Sequence, residues 1–389
     1  MENVFLYLPH WSIQTLIFYL LLGFFPMLSV RYNHGTVTKF GLFDGLWLFV
    51  WTIASAFRVI QKGIGGTDAY GYIKYFEHCN DEHLSALYSH IADDWGFEII
   101  NQVLNGICGD YHFFLLVVYG FQTYSFILFY KVFCTRSTNI LPYFLTAYLL
   151  IRSLNTIRSN LAIAFFLFAM VLLAKRKNIW AIVIAVFSIF IHKMMVLYLP
   201  FLFLSLRFER IRLSRKTILL FFGISASLII VLKQVILRYV RSLNIEGAYV
   251  SYIGKSSTFL QTWGIAFEQL VLGAAMVWLL GKLYDYCNNG VEEENHINRL
   301  LLLGCIYDIL LVPICGAMGV WRGYEIMYLP RIVMWSIIIS IYQQYMSEGT
   351  KNIVNVLVFI VLLAWLIFRY SATWKASGLM PFIFEFFQF

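Results

Sequence analysis

The chain has 389 residues, of which 60% are hydrophobic and only 13% charged, and this excludes an ordinary soluble domain. Aromatic residues reach 19%, with 36 Phe and 25 Tyr, a composition suited to lipid-facing surfaces and interfacial belts. The net charge of +8 lies in short loops between apolar runs. It offers no basic soluble domain for nucleic acid and points to membrane orientation and anionic lipid ligands.

In chain order, about twelve apolar runs approach the length needed to cross a bilayer. They fall near 10–29, 40–60, 112–132, 139–153, 156–174, 178–192, 193–206, 217–235, 261–282, 299–318, 328–346 and 353–370. Backbone groups in lipid must bond internally, so the expected fold is an all-α polytopic membrane protein with about 12 transmembrane helices. No linker or repeat divides the chain, and residues 1–389 read as a single helical integral membrane domain. The opening MENVFLYLPHW has no basic n-region and no cleavage site, and reads as mature sequence.

The dense basic loops, KRK at 175–177 and RFERIRLSRK at 207–216, place those ends in the cytoplasm. Alternation then puts both termini, 61–111, the corner at 152–158, His192, 236–260 and 319–327 on the opposite face. Lys and Arg divide nearly evenly between the faces, so the outer face carries positive charge that an anionic ligand would explain. The six cysteines form no CxxC or zinc spacing and read as apolar filler. A Cys79–Cys108 disulfide is open if both lie outside.

Four features fall on that outer face. In GGTDAYGYIKYFE, 65–77, Gly65 and Gly66 permit a sharp turn, and Thr67 or Asp68 can cap a short helix. Asp68, Tyr72, Tyr75 and Phe76 then share one helix face, where a carboxylate beside aromatic rings can hold a sugar. The same residues would equally serve as an N-cap and an interfacial belt. In RSLNTIRSNLAIAFF, 152–166, Arg152 and Arg158 flank a tight corner at the edge of an apolar run. An arginine there is costly, and its rigid fork suits phosphate oxygens, although snorkelling to headgroups needs no ligand. In IFIHKMMVLYLP, 189–200, His192 is a candidate base or hydroxyl anchor, or a structural corner residue. In GVWRGYEIMYLPRIVMW, 319–335, Arg322 and Glu325 flank a loop and Arg331 enters the next run, as ligand-binding or as interfacial anchors. Glu268 and Asp308 are acids within apolar runs and keep a proton-coupled path open. Walker, HExxH, G-x-S-x-G and DxD signatures are absent from the sequence, so positive charge on a phosphate ester would come from arginine.

The order GTD-x-x-x-Y, DWGFEIINQVLN (94–105), IRSNLAIAF (157–165), FSIFIHKMMVLYLP (187–200) and WRGYEIMYLP resembles the EpsG family, a branch of the Wzy-type polysaccharide polymerases. The resemblance runs from about residue 50 to the end. Departures from the family pattern are Ser159 in place of a Gln, Trp95 in place of a Pro, and Lys193 in place of a small residue. The resemblance implies a glycosyltransferase of the bacterial inner membrane with its site on the extracytoplasmic face. Such an enzyme transfers a polyprenyl-pyrophosphate-linked glycan onto another lipid-linked repeat unit during O-antigen, capsule or exopolysaccharide biosynthesis. It uses no nucleotide sugar, metal or other cofactor, and its expected partners are flippase and chain-length regulator proteins. On this reading Arg158 and Arg322, with Arg152 in support, hold pyrophosphate. His192, then Asp68, serves as base or hydroxyl anchor, and Asp68 with Tyr72 holds sugar. A transporter or flippase of lipid-linked glycans, or a polysaccharide acyltransferase, are the alternatives.

Overall fold

The computed structural model describes residues 13–32, 40–81, 94–134, 138–208, 212–227, 259–318, 322–379 and 382–385. Among them every regular element is a helix, and only two single β-bridges form, Arg58 with Phe384 and Gln61 with Ile64. Among the described residues five helices are long and apolar enough to cross a membrane, or six if one bent pair counts as a span. This is a helical membrane protein, as its composition requires. The chain divides into two compact units, Met1–Lys193 with Tyr345–Phe389, and Met194–Gln344.

In the first unit, apolar segments run back and forth between two ends. Hydrogen bonds and ion pairs fix which residues meet at each. At one end, Ser29 Oγ donates to Asp44, Lys131 Nζ pairs with Asp44 at 2.8 Å, and Asn139 donates to Asn355 at 2.9 Å. At the other, the His112 ring bonds the Ala56 carbonyl, the Gly66 amide donates to the Gly378 carbonyl, and Tyr19 donates to the Leu379 carbonyl. We call the second the corner end, because it holds the 152–158 corner. The helices Leu42–Ala56, Tyr111–Phe133, Ile157–Ala174 and Asn178–Ile191 pack in succession between these ends. The helix Glu348–Ser377 returns to the corner end and packs on Thr146–Asn155.

Several expected spans are shorter or broken. The 40–60 run gives a helix of 15 residues, Leu42–Ala56, because the chain turns at Arg58. At 1.5 Å per residue that is roughly 22 Å, short of a hydrocarbon core of about 30 Å. Pro142 starts a 3-10 turn, Leu141–Leu145, ahead of the α-helix Thr146–Asn155. The 10–29 run, by contrast, is kept as one candidate span, Gln14–Tyr32, with a turn at Gly23 between Ile13–Leu22 and Phe24–Tyr32. The 193–206 run becomes the 3-10 turn Lys193–Tyr198 and the helix Leu199–Phe208. Among the described residues there are five or six full-length apolar helices, where about twelve spans were expected over the whole chain.

The second unit holds helices Leu199–Phe208, 215–227, Phe259–Trp278, Leu280–Tyr286, Glu292–Met318, Gly323–Ile326 and Tyr328–Gln343. Phe259–Trp278 packs on Glu292–Met318 and on Tyr328–Gln343. It meets Leu280–Tyr286 at a bend of 77°. Residues 228–235 of one expected span and 236–258 of the expected 236–260 loop lie outside the described residues, as do 82–93 of the 61–111 loop.

Candidate functional site

The corner end of the first unit is organised around buried Arg58, which the sequence reading did not single out. Its guanidinium donates to the carbonyls of Ser55, Gly65 (3.1 Å) and Leu154 (2.7 Å) and to the Tyr119 hydroxyl (3.0 Å). One side chain thus ties the end of the second apolar helix to the Gly65 turn and the 152–158 corner. The Gly65 backbone has φ +76°, and a Cβ there would lie 2.0 Å from the Val59 carbonyl oxygen, so only glycine fits.

The turn delivers the helix Thr67–His78, whose N-cap is Gly66 rather than Thr67 or Asp68. The missing cap acceptor comes from across the corner. Asn155 Oδ1 takes the Asp68 amide at 2.8 Å and the Thr67 hydroxyl at 3.4 Å. The Asp68 side chain lies partly exposed on the first turn of this helix. The expected aromatic face points inward. Tyr72 is buried edge-on against Phe97 at 5.5 Å, and Tyr75 and Phe76 are also buried. Burial pushes the Tyr75 hydroxyl up, so it remains protonated. Cys79 and Cys108 are free thiols, and burial pushes Cys79 up as well.

Arg158 occupies the first turn of the helix Ile157–Ala174, immediately past the corner, and is 8% exposed. Its Nη1 pairs at 3.1 Å with Oδ2 of Asp94, whose side chain is fully buried. Asp94 Oδ1 also accepts a long hydrogen bond, 3.4 Å, from the amide of Lys193. One carboxylate therefore bridges the Arg158 helix and the link that carries His192. His192 is the buried, extended residue that ends Asn178–Ile191. This approach is close because residue 96 is glycine: a Cβ there would lie 2.7 Å from the Phe190 backbone. Trp95 packs against Phe190 beside it, ring centres 4.3 Å apart and planes tilted by 44°. Arg152 lies half-buried on the last turn of Thr146–Asn155, one residue row from the same corner.

The first unit thus brings Asp68, Tyr72, Arg152, Arg158 and His192 to one end, together with Arg58 and Asp94. Asp94 stood in the DWGF segment, and an acid just ahead of a glycine that lets two helices touch was its signal. Arg322 belongs to the second unit, where it precedes the short helix Gly323–Ile326 and its carbonyl accepts from the Glu325 amide.

Also in the second unit, Arg331 is not an interfacial anchor. It is 2% exposed and pairs with Asp308 at 2.8 Å and with Glu268 at 3.8 Å. Its Nη2 donates to the Tyr324 carbonyl. Asp308 further accepts from Tyr198 (2.5 Å) and from Gln269 (3.1 Å to each oxygen). The two acids are thereby held around one arginine.

Chemically, the corner end offers a buried, oriented guanidinium, a neighbouring imidazole and a partly exposed carboxylate. That set can hold an anion and accept a proton from a hydroxyl. Among the described residues no three His, Cys, Asp or Glu side chains gather as metal ligands. Comparison with curated proteins and with solved structures returns no match. The EpsG family profile matches residues 42–384, which include every one of these side chains. The chain therefore belongs to the EpsG family, a Wzy-type polysaccharide polymerase family.

Proposed function

We propose that the protein lengthens a surface polysaccharide by transferring a polyprenyl-pyrophosphate-linked glycan onto a second lipid-linked repeat unit. The observation that carries this reading is the buried Arg158–Asp94 pair beside His192, in a chain of this family. In the reaction the bond from the anomeric carbon to the pyrophosphate oxygen breaks. The acceptor hydroxyl oxygen forms the new glycosidic bond and loses its proton to His192, or to Asp68. Polyprenyl pyrophosphate leaves with its charge met by Arg158, with Arg152 in support. Asp94 fixes the Arg158 fork before substrate arrives, so little reorganisation is needed as charge develops. Tyr72 braces the Asp68 helix from below. Arginine supplies the positive charge that a divalent cation supplies in other transferases.

On this proposal the working membrane is the bacterial cytoplasmic membrane. The corner end faces outward and the 175–177 end inward, following the basic residues. The twelve-span topology, with the shorter helices counted as spans, belongs to the same proposal, as does action alongside a flippase and a chain-length regulator. Glu268 and Asp308, which lend the transport alternative its support, both pair with Arg331.

The test is reconstitution in liposomes with a lipid-pyrophosphate-linked repeat unit as sole substrate. The expected product is a ladder of glycans that Arg158→Ala abolishes. Leaflet-to-leaflet movement of the unit without a ladder would overturn the reading.

A further inference from the structure

The helix Trp95–Ile107 starts and finishes at the corner end of the first unit. It begins beside Asp94, which pairs with Arg158, and at Gly96 it meets the Phe190 backbone. It ends at Cys108, three residues before Tyr111, where the next span starts and where His112 bonds the Ala56 carbonyl. Thirteen residues make about 20 Å, less than a hydrocarbon core of about 30 Å. This helix therefore does not cross a membrane. It runs across the ends of the bundle helices, with Trp95 against Phe190 and Phe97 against Phe114.

Its sides differ in character. Phe97 and Asn101 are buried, with Phe97 edge-on to Tyr72. Next to that face lies a polar edge of Glu98, Gln102 and Asn105. Gln102 donates to Glu98 at 3.3 Å, while Asn105 donates to the Phe76 carbonyl and accepts from Asn80, each at 2.8 Å. The remaining side is apolar and open. Trp95, Ile99, Val103 and Ile107 recur every four residues, so they share one side, and they are 49, 42, 54 and 67% exposed. Ile100 and Leu104 flank them, half-buried. An apolar row of this length is unfavourable in water and marks a contact surface. The side of a single helix is convex, so it suits a broad apolar phase better than one hydrocarbon chain laid in a groove. The row also starts against Phe190, at the end of a bundle helix that exposes Ile179, Trp180 and Val183, and so adjoins the apolar exterior of the bundle.

We propose that Trp95–Ile107 lies in the plane of the membrane surface, with Trp95, Ile99, Val103 and Ile107 among the outermost acyl chains and Glu98 and Gln102 toward water. Its partner is the bilayer itself. Seated there, the helix holds Asp94, and through it Arg158, at the depth of the lipid headgroups. The seat needs only that the chain is a membrane protein. Its bearing on catalysis rests on the proposed function, since a diphosphate carried on a lipid tail lies at that same depth and meets Arg158 without leaving the membrane surface.

The experiment measures nitroxide accessibility in the full-length protein in phosphatidylcholine nanodiscs. Single labels are attached through a ketone-bearing amino acid at position 99, 103, 107 or 110, so that the six native cysteines stay in place. Oxygen, which concentrates among acyl chains, is compared with a water-soluble nickel chelate. Labels at 99, 103 and 107 are expected to show an oxygen-to-nickel ratio about threefold or more above that at 110. Ile99→Glu with Val103→Glu is expected to lift the helix and lower the ratio at 107 toward that at 110. Ratios at 99 and 103 equal to that at 110 put the row in water and overturn the proposal. Shielding from both reagents means that protein covers the row, and it overturns the proposal too; dipolar broadening between single labels would then identify a second copy as the cover. A lipid-seated row in a protein that makes no glycan ladder supports the seat and tells against the polymerase reading alone.

Discussion

At the scale of single residues, the corner end turns on one carboxylate and one glycine. Asp94 and Arg158 are a buried pair, and removing one partner strands the other charge in a low dielectric. Asp94→Asn is expected to cost about 3–5 kcal/mol, read as a lowered melting temperature in detergent. The double variant Asp94→Asn with Arg158→Gln is expected to regain much of that stability, because neutral isosteres replace the pair. It is nevertheless expected to make no glycan ladder, and a double variant that polymerises would show the pair to be only structural. Gly65 gives a second prediction. Gly65→Ala meets both a left-handed φ and the Val59 carbonyl, whereas Gly63→Ala meets only a φ of +87° in open space. Gly63→Ala should cost about 1–2 kcal/mol and Gly65→Ala distinctly more, seen as loss of monodisperse protein on size-exclusion chromatography. Equal losses at the two positions would show that the close approach to Val59 is not what demands glycine.

At the scale of elements, the sequence showed where apolar runs lie but not how they end. Ends are set by partners far along the chain. Thr67 and Asp68 looked like caps for the helix Thr67–His78, yet Asn155 supplies the acceptor from 87 residues away. Nothing in local sequence marks that, because any polar residue can be a cap in isolation. Asn155→Ala is expected to destabilise the Gly65 turn by about 0.5–2 kcal/mol. The expected readout is faster amide exchange over 66–70 with little change in Asn178–Ile191, and an unchanged 66–70 segment would count against the cross-corner cap. The tyrosines of the same helix kept the expected periodicity, but the face is inward because Phe97 and Phe114 cover it. Periodicity identifies a face without saying which side of the molecule receives it. Glu268 and Asp308 were visible as acids in apolar runs, while their shared partner Arg331 was legible only as a basic residue in another run. Asp308→Asn is expected to destabilise the second unit by about 3–5 kcal/mol, since Arg331 is then left with Glu268 at 3.8 Å. A melting temperature that does not move would mean that the pair contributes no net stability.

At the scale of the whole molecule, composition alone required a helical membrane protein, and the order of short motifs was enough to reach the family. Within the first unit, the shared end of Asp68, Arg158 and His192 was legible too, because each lies between two apolar runs. The structure places Asp110 and the 152–158 corner at the same end of the first unit, and Lys175–Lys177 at the opposite end of Ile157–Ala174. That separation leaves two orientations, which the distribution of basic residues distinguishes as an expectation. Three consecutive basic residues after Ala174 favour the cytoplasmic side for that end, and the proposed function needs Arg152 and Arg158 at the other. The sharpest check uses Cys108→Ser as background, since Cys108 is a half-buried thiol at the corner end. On that background Asp110→Cys should react with a membrane-impermeant maleimide in intact cells. Arg176→Cys should react only after the cells are opened. The reverse pattern would put the Arg158 site in the cytoplasm, where lipid-linked units are assembled but not yet displayed, and polymerisation at the outer surface would have to be abandoned. The predicted pattern would instead put the corner end outside the cell, as the proposed function requires of the end that holds Arg152, Arg158 and Asp94.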